Sequence, residues 1–288
     1  MQFNISVLLF LFQSLFFYHV AAITAPGYTT SLNVHADELK TKETLPKHIV
    51  YTSVVEYDFD VSEFSDEELA GLGRQAWDEM SVLHKQYVDG CDPRNGQRYA
   101  INAKPGMMSI IGLGKQLYIS SSIKQHSPKV MLQNSDSTLT RALQFCRDRW
   151  LVEIQAQKQD VTDDLVHRTG SSCGEIMATS LILKNLGKMP MDTGLATVVV
   201  AYGAGKSNKG KEKPAKIWDP CSGDPKADNH KPIGCMQVAD WQRWRKIPED
   251  VVPKQVDDKK PVNYLKDVNL KDVWDIKVDF ELDPIEEL

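Results

Sequence analysis

The chain has 288 residues, 42% hydrophobic and 25% charged, a globular balance that excludes a largely disordered protein. This length suits one elaborated domain or two small ones. Net charge is −5, and the imbalance lies wholly between Asp250 and Leu288, where eleven Asp and Glu face six Lys. The rest is neutral overall, which excludes the global basic excess of a non-specific nucleic-acid binder. One local exception is the run Lys206, Lys209, Lys211, Lys213 and Lys216, which reads as a solvated loop or a phosphate-holding rim.

Residues Ile5 to Val20 form an apolar stretch followed by Ala21-Ala22, so residues 1–22 are expected to be a secretory signal peptide and the protein to be extracellular. Sixteen residues interrupted by Gln13, Ser14 and His19 are short for a membrane span, and no later run is long enough. The single N-x-S/T sequon, Asn4-Ile5-Ser6, falls inside this leader.

Residues 23–62 read as an extended arm with one strand over 48–57. Ser65 and Glu68 then form a capping box. Leu69, Leu72, Ala76, Met80, Leu83 and Tyr87 follow at spacings of three and four, the stripe of an amphipathic helix. Met107–Leu113 and Lys115–Ile123, separated by Gly114, read as a hairpin. A second helix is expected over 135–157, and a third over 172–186, stopped by Gly187 and Pro190. Leu195–Tyr202 is nearly all apolar, as a strand buried on both faces would be. A short helix over 234–245 precedes an alternating charged and apolar segment with one or two edge strands. The organisation is thus an α/β domain over 63–250, helices packed on a sheet, with an acidic extension over 251–288.

Three of the five Cys occupy polar, turn-rich contexts. Cys173 and Cys235 sit at expected helix starts, where partial positive charge favours thiolates, and Cys221 follows Asp219-Pro220. Three thiolates on Zn²⁺ leave a fourth tetrahedral position for water. Glu175, two residues from Cys173, suits proton transfer there. Its bland alternative is a first-turn carboxylate on the helix dipole.

Cys173-Gly174-Glu175 on a helix, then a buried strand, then Pro220-Cys221 and a later Cys235, resembles the zinc-dependent cytidine deaminase superfamily, whose signature is [H/C]-x-E followed by P-C-x-x-C. The resemblance covers about residues 107–245. It implies a three-layer α/β/α sandwich with a mixed sheet, here with an N-terminal helical extension. It also implies zinc held by Cys173, Cys221 and Cys235, Glu175 as proton shuttle, and a nucleobase-containing substrate: nucleoside, nucleotide or nucleic acid. A Cys91–Cys146 bridge would account for the remaining two Cys. The spacing departs from the signature, with thirteen residues between Cys221 and Cys235 instead of two.

Two other readings stay open. A Cys221–Cys235 disulfide, worth about 3 kcal/mol in the chain-entropy model, would make the protein an inactive secreted interaction or effector protein. Cys173 as a nucleophile with His167 or His230 as base would make it a thiol hydrolase. Ser120 to Ser122 are weak candidates for a sugar contact, and Trp218, Trp241 and Trp244 read as core.

Overall fold

The computed structural model describes residues 25–39, 48–89, 104–123, 173–204, 214–220 and 235–271. The leader, the helix expected over 135–157, Cys91, Cys146, His167, Cys221, His230 and the Lys-rich run short of Lys216 lie outside the described residues.

Among the described residues, eight strands form one open and largely antiparallel sheet. Strands β1 (His35–Leu39) and β2 (His48–Glu56) pair antiparallel, and β2 pairs with β4 (Gln116–Ser121) of the hairpin it makes with β3 (Met107–Leu113). On the other side of β3 lies β5 (Thr197–Gly203), also antiparallel. The outer edge of β5 carries two short strands. β6 (Lys216–Trp218) is antiparallel beside Ala201–Gly203, whereas β7 (Arg245–Lys246) is parallel beside Val198 and Val199. β8 (Asn263–Tyr264) pairs with Val55 and Glu56 of β2.

Alternation along the strands sends successive side chains to opposite faces, so both faces of the central strands are apolar. Ile110, Leu117, Ile119, Val198 and Val200 meet the first helix, α1 (Asp66–Asp89). Ile111, Leu113, Tyr118 and Val199 meet the second, α2 (Gly174–Leu186), and the third, α3 (Cys235–Trp241). The result is a sheet with helices on both faces.

The capping box forms as read: Ser65 N–H donates to Glu68 Oε2 at 3.0 Å, and Glu68 N–H donates to Ser65 Oγ at 3.3 Å. Leu69, Leu72, Ala76 and Met80 are buried under α1, each Leu or Met contributing about 1.5–3 kcal/mol. α1 therefore forms a full layer of the domain.

Helix α2 is different in kind. Every residue from Gly174 to Ile182 and also Leu183 is buried, so it has no polar face. Its interior hydroxyls turn back onto its own carbonyls, Thr179 Oγ1 on Glu175 at 2.9 Å and Ser180 Oγ on Ile176 at 3.0 Å. The helix closes at Gly187, whose φ of 65° lets its N–H reach the Leu183 carbonyl.

The segment from Val251 onward straps across the molecule more than it adds strands. Lys254 N–H donates to the Glu67 carbonyl at 2.8 Å, Leu265 N–H to the Val54 carbonyl at 2.9 Å, and Leu270 N–H to Asp37 Oδ2 at 2.8 Å. No described helix is long and apolar enough to cross a membrane.

Candidate metal centre

The site lies where α2 and α3 begin, on one face of the sheet. Cys173 is the N-cap of α2, with extended backbone (φ −73°, ψ 150°) and no capping hydrogen bond from its side chain. Glu175 is the second residue of the helix proper, and a carboxylate there is favoured by the partial positive charge of the helix start. Cys235 opens α3.

These three side chains converge. The Cys173 sulfur, a Glu175 carboxylate oxygen and the Cys235 sulfur all lie within 4.8 Å of one another. All three residues are buried: Cys235 is fully inaccessible, Glu175 is 4% exposed and Cys173 8%. Cys173 and Cys235 are not joined to each other by a disulfide. Around them stand Ile176, Met177, Val199 and Val238, so water is largely excluded from their surroundings. A charge buried in such a medium needs a partner or a metal.

Two sulfurs and one carboxylate, all buried and convergent, form a group able to hold a metal ion. Soft thiolate donors favour zinc, copper(I) or iron–sulfur chemistry over magnesium or calcium. Of the four residues singled out from the sequence, the fold brings together Cys173, Glu175 and Cys235. Cys221 lies outside the described residues; Pro220, the second residue after β6, is the last one described before it. The thirteen residues between Cys221 and Cys235 also lie outside the described residues.

The sheet beneath the site carries a feature that sequence reading did not single out. One row of directly opposed residues crosses five strands on this face: His35, Thr52, Ser120, Ser109 and Ala201. Thr52, Ser120 and Ser109 are fully buried, whereas the neighbouring positions on the same face are Val54, Tyr118 and Ile111. At one end, Thr52 Oγ1 donates to Asp37 Oδ2 at 2.6 Å. At the other, Ser109 Oγ has no hydrogen-bond partner among the described residues. The hydroxyls were visible in MMSIIGL and QLYISS, but their alignment depends on register between strands distant in sequence.

Ser120 sits in this row with its hydroxyl 3.4 Å from the Ser121 carbonyl. Lys216, the described member of the Lys-rich run, pairs with Glu249 at the surface. Trp244 is buried and Trp241 packs against the same core, while Trp218 donates from Nε1 to the Gly203 carbonyl at 2.8 Å. Comparison of the chain with family models, with curated proteins and with solved structures finds no match.

Proposed function

We propose that this chain is a secreted zinc-dependent hydrolytic deaminase acting on a nucleobase-containing substrate, with Cys173, Cys221 and Cys235 as metal ligands and Glu175 as proton shuttle. One observation carries the reading. Cys173 and Glu175 at the start of α2 meet Cys235, sixty residues beyond Glu175, within 4.8 Å of one another, and all three are buried. The order of elements supports it as well: hairpin β3–β4, helix α2 bearing Cys-Gly-Glu, buried strand β5, then a helix opening on the last Cys.

The residues suit zinc by donor chemistry, since two thiols and a carboxylate converge where bulk water is largely excluded. When bound, zinc supplies a Lewis acid that activates water for attack on the amino-bearing ring carbon. Glu175 would take the two protons of the attacking water in turn, handing one to the ring nitrogen and one to the amino nitrogen. A C–O bond forms, the C–N bond breaks, and ammonia leaves with a carbonyl remaining on the ring. The apolar walls of Ile176, Met177 and Val238 strengthen each charge interaction in the pocket.

Metal analysis of the purified full chain tests this, together with ammonia release from nucleosides, nucleotides and single-stranded nucleic acid. The expected result is about one zinc per chain, retained in Glu175→Ala while ammonia release is lost. A metal-free protein whose Cys173 is readily alkylated would overturn the proposal.

A further inference from the structure

Gly174 stands between the two site residues of α2, and there is no room for a side chain on it. A Cβ placed there would lie 2.5 Å from Ser109 Oγ, 3.0 Å from Ser109 Cβ and 2.9 Å from the Ser120 carbonyl oxygen. The first turn of α2 is therefore pressed onto β3 and β4 as closely as backbone allows. The stop is Ser109, whose hydroxyl fills the volume that a larger residue at 174 would need.

Ser109 is fully buried and its hydroxyl has no hydrogen-bond partner among the described residues. A hydroxyl held this way is unfavourable by itself, so hydrogen bonding does not explain its place in the fold. Its position does. Side chains on either side of Gly174 leave the helix in different directions, and their reach toward Cys235 is set by how deeply the helix start is seated. Raising the first turn would move the Cys173 sulfur and the Glu175 carboxylate together, away from a Cys235 fixed by α3.

We propose that Ser109 and Gly174 are a positioning pair, a size match between strand and helix that sets the depth of α2 and so the convergence of Cys173 and Glu175 on Cys235. The metal-affinity part of the inference rests on the reading under Proposed function; the seating of Cys173 does not. Neither residue ligates or reacts; both act through their neighbours.

The test is a size-exchange cycle on the full chain, read by Co²⁺ binding through thiolate charge-transfer absorption and by the alkylation rate of Cys173 in metal-free protein. Gly174→Ala is expected to weaken Co²⁺ binding about tenfold or more, the usual scale for a residue supporting a metal ligand. It is also expected to speed Cys173 alkylation about tenfold, as a loosened first turn opens more often. Adding Ser109→Gly on that background relieves the two contacts with residue 109 but not the one with Ser120, so it should recover about threefold in both readouts.

Leu183→Ala, a buried change at the other end of α2, serves as the control for simple destabilisation. It should lower the unfolding temperature while leaving Co²⁺ affinity and Cys173 reactivity within about twofold. Unchanged alkylation in Gly174→Ala, no recovery in the double variant, or equal effects in Leu183→Ala would each overturn the pair. If the unaltered chain takes up no metal, the deaminase reading falls and the pair is judged by alkylation alone.

Discussion

Two buried carboxylates, Glu79 on α1 and Glu175 on α2, stand in different settings. On the α1 face, buried polar groups close on one another. Glu79 accepts from the N–H of Leu32 at 2.7 Å, the N–H of Val34 at 3.2 Å, Ser31 Oγ at 3.2 Å and Gln75 Nε2 at 3.0 Å. Its carboxylate thereby fastens the segment before β1 to the middle of α1. On the α2 face the helix is buried from Gly174 to Leu183, and Cys173, Glu175 and Cys235 gather at its start. One arrangement fastens two segments of the chain together; the other sets two sulfurs and a carboxylate within 4.8 Å of one another.

The largest effect should come from removing a sulfur from the second arrangement. Cys235→Ala leaves too few soft donors, and zinc content is expected to fall from about one per chain to near zero at micromolar zinc. Secondary structure by circular dichroism should remain. Loss of the fold instead of the metal would mean that the α2 face, like the α1 face, uses its polar groups for stability.

Next in size is the reciprocal change. Glu79→Ala strands two buried backbone N–H groups, those of Leu32 and Val34, and is expected to cost about 3–5 kcal/mol in denaturant unfolding. Zinc content per folded chain should not change, because Glu79 lies on the other side of the sheet from the site.

Acid titration sharpens the contrast. Burial pushes the Glu79 carboxyl above its ordinary value, and the hydrogen bonds from Leu32, Gln75, Val34 and Ser31 offset this only in part. The folded state therefore keeps a proton that the unfolded chain has already released. This contribution is fully present below the ordinary carboxylate value and is lost as pH rises through the raised one. Glu79→Gln should flatten that part of the stability profile. A profile identical in the two proteins would show that Glu79 titrates as an ordinary carboxylate.

The same contrast explains which parts of the molecule could be read from the sequence. The capping box at Ser65 and the stripe from Leu69 to Met80 were legible because α1 has one wet face and one dry face. The hairpin was legible because Gly114 interrupts two β-rich runs. The buried strand was expected from Leu195, but begins at Thr197; Leu195 is 48% exposed in the turn after Gly194. β1 has no such signature. In His-Ala-Asp-Glu-Leu its burial comes from pairing with β2 and from Leu270, not from local pattern.

At the site, residue type carried the information that distance in sequence could not. Cys173-Gly174-Glu175 and Cys235 stood out by chemistry, yet their meeting depends on the return of the chain through β5 and the placement of α3. Ser109 stayed hidden because a lone serine in an apolar strand carries no period. Only the register with Ser120 and the seating of Gly174 give it a role.

The smallest predicted effect divides one contact on the α1 face into two. Lys259 Nζ donates to Glu68 Oε2 at 2.7 Å and also lies 4.8 Å from the centre of the Phe64 ring. Burial alone would raise the Glu68 carboxyl. Lys259, the Ser65 N–H and Lys254 outweigh it and hold the group below its ordinary value. The ion-pair contribution is thus present above the ordinary carboxylate value and lost as pH falls through the lowered one. The ring contact does not titrate there. Lys259→Ala should cost about 1 kcal/mol at neutral pH, and about half of that should persist in acid, where Glu68 is protonated. Complete disappearance in acid would assign the whole contact to charge. No change with pH would assign it to the ring, leaving the capping box and Lys254 to hold Glu68.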